Sequence, residues 1–126
     1  MLIEFDNVRQ IHGEDRRRLF TDDDIALYVW FRNARISGFQ LCYDKQGPEK
    51  AFMWTLAHGY AHYAVDSGEV GGLDAKKTPV FASSAIPVSE DILDRFIAAS
   101  NFLDAEIRDF VSQKIRDYLH QKSRKL

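Results

Sequence analysis

Apolar positions along this chain recur with two periods, and the change between them happens once. Up to about residue 83 the chain is rich in β-branched and aromatic residues separated by turn formers. From Val88 onward apolar residues return at three- and four-residue steps. Strands followed by helices, without alternation, predict an α+β fold. The expected architecture is an antiparallel β-meander sheet over about 2–83, then two C-terminal α-helices, about 89–100 and 104–121, packed on one face.

The clearest strand runs from Ile25 to Arg32 and its partner from Ile36 to Tyr43, with Asn33-Ala34-Arg35 as a three-residue turn. Such a turn pairs Arg32 with Ile36 and Trp30 with Gly38. Ile25, Leu27, Val29 and Phe31 then share a core face with Ser37, Phe39, Leu41 and Tyr43, and a slip of one residue would scatter that set over both faces. The reverse face receives Tyr28, Trp30, Gly38, Gln40 and Cys42, with the Trp30 ring covering Gly38. A third strand from Lys50 to about Leu56 adds Phe52, Trp54 and Leu56 to the core face and Ala51, Met53 and Thr55 to the reverse. His58-Gly59 reads as a tight connection into a fourth strand, Tyr60 to Val65, closed by Asp66-Ser67-Gly68. Residues 69–77 read as a loop and 78–83 as an edge strand, because Pro79 cannot donate to a ladder. Segments 2–11 and 17–20 open the meander.

In the helical part, Ser89 is the expected N-cap, with Glu90 and Asp91 at the positive end of the helix dipole. Ile92, Leu93, Phe96 and Ile97 form the first apolar stripe. Asp104 caps the second helix, whose stripe is Ile107, Phe110, Val111, Ile115, Tyr118 and Leu119.

Length and charge narrow the picture. A chain of 126 residues is expected to form a single domain over 1–126 and can bury about two-thirds of its unfolded surface without disulfide or metal staples. The net charge of −2 gives no sign of nucleic-acid or membrane partners. The lone Cys42 allows no intramolecular disulfide and fits a reducing compartment. The opening Met1-Leu2-Ile3-Glu4-Phe5-Asp6 lacks the basic and apolar regions of a secretory signal, and no run approaches the roughly 20 apolar residues that span a bilayer. These features predict a cytoplasmic protein.

Candidate chemistry is sparse. His58, His62 and Asp66 stand four apart, the spacing of a helical metal site. Gly59, Tyr60, Tyr63 and Val65 favour a strand instead, on which residues four apart lie roughly 13 Å from one another. No metal is therefore expected, and no cofactor. Asp22-Asp23-Asp24 lacks the spacing of a calcium loop and reads as an acidic turn near Arg16-Arg17-Arg18. Cys42 would need a base to act as nucleophile; His62, two strands away, would stand about 10 Å off.

A residual set remains on the face that the helices do not need: Tyr28, Trp30, Gln40, Met53, Thr55, Tyr60 and His62, with Cys42. Three readings suit it. It is the wall of a small-molecule or hydrolytic pocket centred on His62, with Gln40 and Thr55 as polar groups. It is an interface for a homodimer or a protein partner, which favours these aromatics and Met. Or the sheet curls and the face forms a second core layer.

The segments FDNVRQI (5–11), RRRLFTDDD (16–24), VWF (29–31), GFQLCYDK (38–45) and KTPV (77–80) together resemble a family of short, uncharacterised bacterial proteins with the same order of segments. The resemblance covers about residues 5–111. It implies a bacterial, soluble, stand-alone domain and brings no activity or site residues. The family's counterpart of 57–66 is rich in glycine and histidine, and Ala57 and Tyr63 depart from that pattern. The leading expectation is a non-enzymatic domain that self-associates or binds a partner through the aromatic sheet face.

Overall fold

The structure, a computed structural model, describes residues 1–65 and 88–124, with side chains to 121. The edge strand expected at 78–83, the loop at 69–77 and the turn at 66–68 lie outside the described residues. Among the described residues six strands follow one another as an antiparallel meander: β1 (Ile3–Glu4), β2 (Arg16–Thr21), β3 (Ala26–Arg32), β4 (Arg35–Tyr43), β5 (Lys50–Thr55) and β6 (Gly59–Ala64). Among the described residues two helices follow the sheet, α1 (Ile92–Ala99) and α2 (Ala105–Arg124). This is the α+β arrangement that the two hydrophobic periods predict.

Alternation along the strands decides what is buried. Leu27 pairs with Leu41 and Val29 with Phe39. All four are fully buried, together with Phe52 and, from the helices, Ile92, Phe96, Ile107, Val111 and Ile115. The helical stripes therefore cover the face that alternation marks as apolar. Ring contacts reinforce the seam: Phe52 meets Tyr118 edge-on with centroids 5.1 Å apart, and Trp54 meets Phe110 at 5.4 Å. Ile97, expected in the first stripe, is exposed instead, and Ala99 takes its place in the core.

The β3–β4 hairpin reaches its register by a different route from the one expected. Arg32 pairs with Arg35 and Phe31 with Ile36, so the turn contains only Asn33 and Ala34. Both have positive φ, 53° and 67°, as in the type I′ turn that matches strand twist. The pairing then shifts by one, and Trp30 faces Gly38. Ser37 is the extra residue of a β-bulge. The bulge leaves Ile36 packed beside Phe31 against the core and turns Ser37, expected on the core face, to the reverse side. Gly38 is required for a separate reason. A Cβ there would stand 2.9 Å from the Trp54 carbonyl oxygen and 3.0 Å from Thr55 Cγ2.

The β5–β6 hairpin overturns part of the expected site. Thr55 pairs with Gly59, Trp54 with Tyr60 and Phe52 with His62, so the loop contains three residues, 56–58. A two-residue turn at His58-Gly59 would have reversed the parity of the whole strand. With three, Tyr60 and His62 lie on the core face beside Trp54 and Phe52, not on the reverse face. Leu56, expected inside, begins the turn and is 71% exposed.

The helix starts also differ in detail. Helix α1 is preceded by Asp91 rather than Ser89, with no side-chain cap hydrogen bond; the Ser89 hydroxyl bonds the Asp91 carboxylate instead. Asp104 precedes α2, and its carboxylate reaches Arg18 at 3.1 Å.

Candidate functional site

The reverse face of the sheet keeps five of the seven expected site residues. Register puts Arg17 opposite Trp30 and Tyr28 opposite Gln40. Gln40 and Thr55 in turn stand opposite Met53 and Gly38. Tyr28 and Trp30 stack with centroids 6.0 Å apart and planes inclined 24°. The Arg17 guanidinium lies 5.5 Å from the Tyr28 ring centre, a cation–π distance. All of these side chains are half-buried.

At one end of this face lies an open hollow of about 400 Å³. Trp30, Met53, Thr55 and Gly38 form its floor and walls, and Glu14, Asp15, Arg32 and His58 stand around it. Asp15 organises the rim. Its carboxylate accepts the Ser37 hydroxyl at 2.6 Å and Arg32 Nε–H at 3.0 Å. Those two bonds hold the Asp15 carboxyl below the usual aspartate value, the Ser37 bond contributing most. Sequence reasoning missed Asp15 and Ser37, because they meet only through the bulge.

Tyr60 and His62 belong elsewhere. Tyr60 donates its hydroxyl to the Lys114 carbonyl at 3.1 Å, tying β6 to α2. His62 is 2% exposed, with Nε2 2.7 Å from the Tyr43 hydroxyl and the two rings stacked at 5.9 Å. Burial raises the Tyr43 phenol above its ordinary value, against a hydrogen bond from the Ser89 backbone. A pocket centred on His62 is therefore not formed on the reverse face. His58 lines the hollow while His62 faces the helices, so the pair cannot converge on one ion. Among the described residues no group of three or more His, Cys, Asp or Glu is placed to hold a metal.

The remaining candidates resolve into structural parts. Cys42 and Tyr63 are buried in a small second cluster with Ala51, the part of the face that does behave as a second layer. Desolvation raises the Cys42 thiol above its ordinary value, and His62 lies across the sheet from it. A nucleophile–base pair between them is excluded by the strand parity. The acidic turn is not neutralised by the arginine run. Asp22 accepts the Asp24 and Ile25 N–H groups, both at 2.8 Å. Asp24 pairs with Arg95 at 2.8 Å, and Arg18 serves Glu4 and Asp104.

No protein-family model, curated protein or solved structure matches this chain. Among the described residues no helix is long and apolar enough to cross a membrane.

Proposed function

We propose that this protein acts through the reverse face of its sheet, as a cytoplasmic domain that associates with a second copy of itself. The observation that carries the reading is the half-buried set Tyr28, Trp30 and Met53 beside an open hollow, on the side opposite the helices. Tyr, Trp, Met and Arg are the side chains enriched in interface cores, and hot spots are aromatic anchors seated in pockets. The hollow opens broadly to solvent, so a projecting side chain fills it better than a small molecule that must be enveloped. Its surroundings carry both signs of charge, Arg17 and Arg32 against Glu14 and Asp15. A patch with both signs complements itself about a two-fold axis, as an isologous dimer requires. The small net charge of −2 opposes such pairing only weakly.

Light scattering on the wild type and on Trp30→Glu tests the proposal. The wild type is expected to associate and the variant to remain monomeric with an unchanged circular dichroism spectrum. Met53→Lys is the second variant and is expected to behave the same way. A wild type that stays monomeric at high concentration would overturn the proposal.

A further inference from the structure

Beside the hollow on the reverse face stands a large apolar side chain that the fold leaves in solvent. Leu56, 71% exposed, begins the β5–β6 turn and lines the same hollow whose floor includes Trp30, Met53 and Gly38. A single exposed leucine is ordinary on a protein surface. This one is distinguished by how it is held. Its N–H donates to the Ser37 carbonyl at 2.9 Å, so the turn starts on the bulge that shapes the rim. The His58 N–H donates to the Thr55 hydroxyl at 3.0 Å, and Gly59 closes the turn at φ 73°. The leucine is thus carried on a turn tied at both ends, and little backbone entropy is left to lose when it meets a partner.

The hollow has the complementary shape. Gly38 contributes no side chain to its floor, and none can be added, because a Cβ there would stand 2.9 Å from the Trp54 carbonyl oxygen. The Trp30 ring and the Met53 thioether line the opening that results. Both gain from dispersion contact with a branched aliphatic group. At about 400 Å³ the hollow has room for Leu56 and the adjoining Ala57 of another chain. Knob and hole therefore lie side by side on one rim. A two-fold axis beside that rim places each knob in the other copy's hole, and both holes are filled at once. The charges suit the same pairing. The Arg32 side chain is 65% exposed and Glu14 borders the same hollow, so two facing rims offer each other opposite signs.

We propose that Leu56 of one copy seats in the hollow of a second copy of this chain, against Trp30 and Met53, and that the second copy returns the same contact. The inference rests on the association proposed above and names the side chain that completes the site.

Two measurements test it. The first is light scattering over a concentration series for the wild type, Leu56→Ser and Leu56→Met. The second is isotope-filtered NOE spectroscopy on an equal mixture of labelled and unlabelled wild-type protein. Contacts between copies are expected from the Leu56 methyls to the Trp30 ring and the Met53 methyl. Leu56→Ser should raise the dissociation constant about a hundredfold or more, because two leucine burials are lost per dimer. Its circular dichroism should be unchanged, since the residue is exposed in the single chain. Leu56→Met keeps an apolar knob of similar volume and should still associate. A wild type that associates without those NOE contacts, or no more tightly than Leu56→Ser, overturns this inference and leaves the association itself standing. A wild type that stays monomeric overturns both.

Discussion

The Tyr43 hydroxyl and His62 Nε2 lie 2.7 Å apart in the interior, between the sheet and the helices. This contact makes His62 a structural residue of the core. A phenol removed there leaves a buried imidazole nitrogen with one bond fewer, and such deletions cost about 1–3 kcal/mol. Tyr43→Phe should lower stability by that amount in urea unfolding, with an unchanged slope, and should leave any association through the Trp30 face intact. Loss of association in this variant, with the fold retained, would put His62 back among the functional residues.

The turn between β3 and β4 carries a removable strain. Ala34 sits at φ 67°, a region that costs an L-residue roughly 1–2 kcal/mol. Glycine enters it freely but loses more chain entropy on folding, by roughly 0.5–1 kcal/mol. The difference favours Ala34→Gly by about 0.5–1 kcal/mol. Thermal unfolding of the variant should show a melting temperature several degrees higher. A decrease would mean that the turn does not hold these angles in solution.

Acid stability follows from four carboxylates whose folded values lie below their ordinary ones, Glu4, Asp15, Asp44 and Asp22, the last held down against burial by hydrogen bonds from the N-terminal amine and the Asp24 and Ile25 N–H groups. Glu4 is lowered chiefly by its hydrogen bond from Arg18, and Asp15 by Ser37 and then Arg32. Burial alone would raise Asp44, but hydrogen bonds from Lys50 and Arg95 overcome it and leave the carboxyl below its ordinary value. Because each folded value lies below the unfolded one, the unfolded chain takes up protons first as pH falls. The stabilisation is complete above the ordinary values of 3.8 and 4.5 and disappears as pH drops through the lower folded values. Melting temperature should therefore stay level from neutrality to about pH 5 and fall steeply below about pH 4. A maximum near pH 4 would contradict this assignment.

The sheet and helices were legible because alternation at Leu27, Val29, Phe39 and Leu41 is unambiguous, and so are the three- and four-residue steps from Ile107 to Leu119. The β5–β6 parity was not. Tyr60 and His62 on one side, and Ala61, Tyr63 and Val65 on the other, are mixed sets, so neither declares itself polar. Only the loop length decides, and Gly59 serves a two-residue turn as readily as the three-residue loop found here. The rim of the hollow was hidden for another reason. Asp15 and Ser37 are distant in sequence and meet through a bulge that no periodicity announces.

Association through the Trp30 face is most directly tested by the mass of the wild-type protein in solution, measured by multi-angle light scattering over a concentration series. The account predicts a mass rising toward twice the 14.5 kDa chain mass, and a mass fixed at 14.5 kDa for Trp30→Glu at every concentration. A wild type that holds the single-chain mass throughout, or a Trp30→Glu variant that pairs as the wild type does, would contradict it.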